Sequence, residues 1–256
     1  MKQLIAFTKK EVLEQLRSGK LIILTFIFLL FGIMSPAIAK LTPWMMDVMA
    51  EELAKNGMTI TEVKVDAMTS WAQFYKNMPI ALIVFLVLFA GILCNEYQKG
   101  TLINIITKGL NRWKIIISKL LTVAVLWTLG FSLCYGVTYG YNSYFWDNSI
   151  ASNLFFSSFC LYLLGLWLIT LIPLASTLFT STSSVILSLG GAFVAVYLLS
   201  FLPAIKEYSP FLLMDSSSLL TGASTISHYI PCIIVTVLLM GIQIVASIHL
   251  FNKKNL

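Results

Sequence analysis

Met78–Cys94 reads MPIALIVFLVLFAGILC, 17 residues without a charged side chain. A helix needs about 20 apolar residues to cross the hydrocarbon of a bilayer, and lipid obliges a spanning backbone to hydrogen-bond within itself. The run therefore predicts a transmembrane helix. Five more runs of similar character lie on either side of it: Leu21–Ala39, Leu120–Tyr141, Leu154–Leu178, Val185–Leu202 and Ile230–Phe251. Together they predict an all-α polytopic membrane protein with six spans, organised as a single transmembrane domain over residues 1–256.

The composition agrees with this reading. Hydrophobic residues make up 58% of the chain and charged residues 11%, against roughly 25% charged in a soluble domain. The net charge of +6 comes from Lys and Arg placed beside apolar runs. That distribution suits a membrane flank and argues against nucleic acid as a partner. Cys94, Cys134, Cys160 and Cys232 form no C-x-x-C pair and no spaced His/Cys group, so they read as buried free thiols, with no metal site. Ala37-Ile38-Ala39 looks like a signal-peptidase site. The charged stretch ahead of the apolar core is too long for a signal peptide, and the run is read as the first span.

Orientation follows from the basic residues. With six spans, residues 1–20, 95–119, 179–184 and 252–256 share one side and hold twelve Lys and Arg; the opposite side holds five. The positive-inside bias predicts both termini in the cytosol of a cell membrane. Residues 1–20 predict an amphipathic helix at the cytosolic interface, with Leu4, Ile5, Val12 and Leu16 on its apolar side. Outside, residues 42–77 predict an amphipathic piece (Leu41, Trp44, Met45, Val48, Met49) and a second piece returning along the interface (Met68, Trp71, Tyr75). This segment also carries an acidic rim of Asp47, Glu51, Glu52, Glu62 and Asp66. Residues 203–229, with the apolar patch Phe211–Met214, read either as a surface loop or as a re-entrant segment before the last span.

Several functions are disfavoured. None of the six runs has a charge near its centre, where an ion-coupled carrier would need one. His228 and His249 fall at opposite faces and cannot cooperate, so no catalytic residue is assigned. There is no G-x-x-x-x-G-K-[ST] loop to cradle nucleotide phosphates. Any transport needs energy from a separate subunit, and the largest cytosolic segment, 95–119, is the place for it to dock. Leu102, Ile105 and Ile106 form an apolar stripe there at helical spacing. Gly136-x-x-x-Gly140 and Gly190-Gly191 offer small-residue faces for helix packing or dimerisation.

Glu96-x-x-x-Gly100-Thr101-Leu102, then Thr107-Lys108, Arg112 and Lys119, resembles the second cytosolic connection of type-2 ABC export permeases. Lys10-Glu11 with Arg17-x-x-Lys20 is similar to the leading helix of that family. Ser35-Pro36, Pro43 and Gln73-Phe74-Tyr75-Lys76-Asn77 are also similar to its members. The resemblance implies a permease that pairs with a second, identical copy and rests on two cytosolic ABC ATPase subunits. ATP and Mg would be held by those ATPases, with no cofactor in this chain. It implies that Lys10, Glu11, Arg17, Glu96, Lys99, Gly100, Thr101, Lys108 and Arg112 couple to the ATPase. The similar members serve bacterial peptide export and self-protection, which points to hydrophobic or amphipathic peptides as cargo. Export of drugs, lipids or sodium is the alternative within the class, and a non-transporting scaffold or immunity protein the alternative outside it. The long 42–77 segment departs from drug- and lipid-exporting relatives.

Overall fold

The computed structural model describes residues 2–55, 65–107 and 109–254. Among them there is no strand, and the chain runs through α1 (Lys2–Arg17), α2 (Lys20–Lys55), α3 (Ala67–Phe89), α4 (Cys94–Gln98), α5 (Thr101–Thr107), α6 (Arg112–Phe145), α7 (Leu154–Leu178), α8 (Thr182–Leu199), α9 (Pro203–Lys206) and α10 (Ile226–Lys253). Two 3₁₀ segments, Asn148–Ile150 and Pro210–Leu219, fill the connections before α7 and before α10. The helices α2, α3 continued by α4, α6, α7, α8 and α10 are long and apolar enough to cross a bilayer. The protein is an all-α polytopic membrane protein. Its spans alternate in direction, so α1, the α4–α5 turn and Lys254 all gather at one end, called here the basic end.

Two spans outrun the membrane. At 1.5 Å per residue, α2 and α6 are each about 50 Å long, against about 30 Å of hydrocarbon. The excess of α2 corrects one expectation. Leu41, Trp44, Met45, Val48 and Met49 do form an exposed apolar face, but on the unbroken continuation of the first span. Pro43 lies inside that helix and does not end it. The second expected piece is also corrected: Trp71 and Tyr75 are buried in the first turns of α3 and do not lie along an interface. Asp66, placed in the acidic rim, caps α3 by accepting the Thr69 amide at 3.0 Å. Glu62, and the side chains of Glu51 and Glu52, lie outside the described residues.

Pro36 shows how α2 stays helical. Proline has no N–H, so the carbonyl one turn back, on Gly32, loses its donor. The Thr138 hydroxyl of α6 donates to that oxygen at 3.0 Å. Thr138→Val should remove this bond and cost about 1 kcal/mol, read as a lower melting temperature in detergent. An unchanged melting temperature would mean that the freed carbonyl finds another donor.

The core sits on α3, α6 and α7, while α8 and α10 are mostly exposed to whatever surrounds the bundle. Trp127 of α6 is fully buried. It meets Phe28 and Phe85 edge to face at 5.8 and 5.3 Å and donates from Nε1 to the Tyr162 carbonyl at 3.1 Å. The ring lies over Gly165 of α7, where an added Cβ would come within 2.2 Å of it. By contrast a Cβ added at Gly136, Gly140, Gly190 or Gly191 would meet nothing within 4 Å among the described residues, so none of these glycines is required by a close approach within the chain. All four cysteines are free and buried, as expected.

The Pro210–Leu219 segment packs against α7, α10 and α8. Ser157 and Ser216 exchange hydrogen bonds, each hydroxyl donating to the other's carbonyl, at 2.5 and 3.1 Å. The Tyr75 hydroxyl of α3 donates to the Ser157 oxygen at 2.6 Å. Met214 lines an apolar cavity of about 320 Å³ together with Leu164 and Leu168, more than two turns inside α7. The segment packs into the end of the bundle.

Candidate functional site

The sequence placed the candidate site on the leading helix and the connection after the second span. These elements meet through a buried ionic net at the basic end. Helix α1 has three distinct sides. Phe7, Glu11 and Gln15, one turn apart, are buried against the bundle, while Ile5, Leu13 and Leu16 are exposed. Lys10, Glu14 and Arg17 occupy the third side and are also exposed. Of the expected apolar side, Ile5 and Leu16 face away from the protein, and Leu4 and Val12 are half-buried. The side that docks carries a carboxylate.

Glu11 is fully buried, and its Oε2 accepts from Lys119 Nζ of α6 at 2.9 Å. Lys119, 3% exposed, also lies 3.1 Å from Oε1 of Glu96 on α4. Lys10 closes the net from the outside. Its Nζ is 3.0 Å from Glu11, 2.8 Å from Glu14 and 3.2 Å from Glu96. Thr8 and Ser118 add a hydroxyl pair at 2.7 Å between α1 and α6. Three carboxylates and two ammonium groups therefore join α1, α4 and α6. Burial works against the charged form of Lys10, but hydrogen bonds to Glu14 and Glu11 outweigh it and hold the ammonium above its usual pKa. The Lys10 hydrogen bond holds the Glu14 carboxyl below the usual carboxylate range.

Oxygens of Glu11, Glu14 and Glu96 lie within 4.8 Å of one another, close enough for a hard cation. The Lys10 and Lys119 ammonium groups already stand among them and supply the positive charge. An open cleft of about 460 Å³ lies over the net, lined by Gln15, Lys20, Lys99, Thr101 and Asn104 among others. Glu96 Oε2 and Gln15 Oε1 are buried without a hydrogen-bond partner among the described residues.

The expected coupling residues separate into groups. Lys10, Glu11 and Glu96 come together in the net, and Lys99 and Thr101 line the cleft above it. Arg17 is exposed at the same end, outside the ion pairs. Gly100 turns the chain between α4 and α5 with φ +64°. An added Cβ there would meet nothing within 4 Å, so the need for glycine is conformational and not steric. Arg112 faces its own chain: Nη1 donates to the carbonyls of Phe251, Asn252 and Lys254 at 3.0, 3.3 and 2.6 Å. It caps the C-terminus of α10, where a cation is favoured. Lys254 in turn donates to Thr177 O of α7 at 2.9 Å. Lys108 lies outside the described residues.

The apolar stripe expected to meet a partner is partly used inside. Leu102 is 1% exposed in a small cluster with Phe7, Leu93, Ile115, Ile116 and Phe251, and Ile106 packs against it. The side chain of Ile105 lies outside the described residues. Among the described side chains of α5, Thr101, Ile103, Asn104 and Thr107 are exposed.

Sequence reasoning did not find Lys119, Glu14 or Gln15 as members of the site. Lys119 follows Ile115-Ile116-Ile117-Ser118 and precedes Leu120-Leu121. A lone lysine inside an apolar stretch was the available signal, since such a charge needs a buried partner.

No family model matches the chain. It is 28% identical over 195 residues to the uncharacterized transmembrane protein YxlG of Bacillus subtilis strain 168, a match that covers 72% of this chain and 71% of that protein.

Proposed function

We propose that this membrane protein is the permease subunit of an ATP-driven ABC exporter that moves hydrophobic or amphipathic peptides out of a bacterial cell. Two copies pair, and two cytosolic ABC ATPases dock at the basic end and carry the ATP and Mg. ATP hydrolysis then belongs to those subunits and not to this chain. Both termini lie in the cytosol. The observation that carries this reading is the net joining α1, α4 and α6. A partner pressing on the exposed α4–α5 turn moves Glu96. Glu96 shares one oxygen with Lys10 and Lys119, so α1 and α6 must follow or leave a charge unpaired. The uncharged interior of the spans suits apolar cargo.

The test is to purify the chain from its native membrane with the ATPase it retains and reconstitute both in liposomes. Amphipathic helical peptides should stimulate ATP hydrolysis. Glu96→Gln should leave insertion intact and cut peptide-stimulated flux about tenfold or more, the scale of one lost charge-assisted contact. A cysteine at Ser18 should be shielded from an impermeant thiol reagent in intact cells, and one at Asn56 should react. Stimulation by lipids or small drugs alone would replace the peptide assignment. Absence of any retained ATPase would favour the scaffold reading.

A further inference from the structure

Two openings on the flank of the bundle join into one groove far from the ionic net. The first, about 720 Å³, lies at the end opposite the basic end and is lined by Tyr139, Trp146 and Asp147 among others. The second, about 290 Å³, continues between α6 and α7 past Thr128, Phe131, Ser132 and Tyr162. Tyr135 and Phe155 line both, so the two are continuous. From Tyr139 to Thr128 the groove follows eleven residues of α6, about 16 Å of helix. Its walls are open to the side: Tyr139 is 45% and Phe155 78% exposed.

The chemistry changes along the groove. The lower part is aromatic, with Phe131 and Tyr162 rings 5.4 Å apart. Its polar atoms are hydroxyls, and those of Thr128 and Tyr162 are paired at 2.8 Å. Higher up, Tyr135 and Tyr139 stack at 6.1 Å. The mouth holds Asp147. Its two oxygens each accept one hydrogen bond from Ser149, at 2.9 and 2.6 Å, leaving further lone pairs free. These bonds hold the carboxyl below its usual range, so it is ionised at neutral pH. Among the described lining residues none is basic.

A carboxylate that shares the mouth with Tyr139 and Trp146 attracts a cation, and the aromatic channel below accepts an apolar tail of similar length. We infer that the α6–α7 groove is a binding site for monocationic amphiphiles, with the head at Asp147 and the tail running toward Thr128. This goes beyond the exporter reading and is independent of it, since binding needs no ATPase.

The probe is dodecyltrimethylammonium carrying a diazirine at the end of its chain, added to the protein in phosphatidylcholine nanodiscs. Photolabelling should saturate, map to α6 and α7 near Ser132 and Phe159, and be competed by unlabelled dodecyltrimethylammonium but poorly by dodecyl sulfate. Asp147→Asn should weaken apparent affinity about two- to fivefold at low salt and less at high salt. Ser132→Trp, which fills the lower groove from an exposed position, should abolish saturable labelling while the protein still elutes as one folded species. Label spread evenly over α8 and α10, equal competition by dodecyl sulfate, or wild-type labelling in both variants would overturn the site and reduce the signal to lipid partition. Efficient disulfide cross-linking between two copies through a cysteine at Ser132 would overturn it too, by assigning the groove to an interface.

Discussion

Lys119→Met is expected to destabilise the protein by about 3 kcal/mol or more, because it leaves Glu11 buried with too little positive charge around it. Glu11 is fully buried. Without Lys119 its remaining ion-pair partner is Lys10, whose side chain is 46% exposed. Two effects compete. Met fills nearly the volume of Lys and removes the cost of desolvating an ammonium, which favours the variant. A fully buried carboxylate left with one half-exposed partner costs more than that gain, so the variant should lose. The measurement is the melting temperature in detergent, combined with protease sensitivity of α1, which should detach first. Removing the buried Lys119–Glu11 pair together gives the opposite sign: Lys119→Met with Glu11→Leu should recover part of the loss, since a buried ion pair replaced by apolar groups is often neutral in stability, while Glu96 keeps Lys10 as its partner. A double variant as unstable as the sum of its singles would mean that the net contributes separate contacts and not one coupled unit. The stabilised double variant should still fail to couple, which separates the net's role in folding from its proposed role in transport.

Gly165→Ala is expected to cost about 3 kcal/mol, an unusually large effect for a single added methyl group. In a helix interior alanine is favoured over glycine by about 1 kcal/mol, so propensity alone predicts a gain. Packing decides otherwise. The new Cβ would stand 2.2 Å from Cζ2 and 2.4 Å from Cε2 of Trp127. The indole has little room to yield, because Phe28, Phe85 and Phe131 crowd its other sides. Moving it also breaks the Nε1 bond to the Tyr162 carbonyl. Overpacking of this kind costs about 1–3 kcal/mol, and an orphaned buried N–H adds about 1–3 kcal/mol more. The check is a melting curve with Trp127→Phe as the second arm. The smaller ring should relieve the clash, so Gly165→Ala should cost much less in that background. Equal cost in both backgrounds would mean that α7 shifts as a body and the ring is not the obstacle.

The sequence alone was enough to determine the class of fold and the number of spans. Spanning lipid is a local demand: a run such as Met78–Cys94 must satisfy its own backbone and bury nothing charged, whatever its neighbours do. The buried thiols were readable for the same reason. Tertiary structure decided everything that depends on a partner across space. The first apolar run ends at Ala39, yet α2 runs on past it to Lys55. Pro36 stays helical because Thr138, 102 positions away, donates to the carbonyl the proline leaves free. Gly136 and Gly140 read as residues for helix packing or dimerisation and make no close approach within the described chain, whereas Gly165 does because Trp127 lies opposite. Arg112 read as a residue for an ATPase and is engaged by the end of its own last helix. The ionic net illustrates the limit most fully. Glu11, Glu96 and Lys119 were visible as charges at membrane edges, where water could solvate each one singly. Only the docking of α1 on α6, with α4 beside them, removes that water and turns three edge charges into one buried, mutually dependent unit.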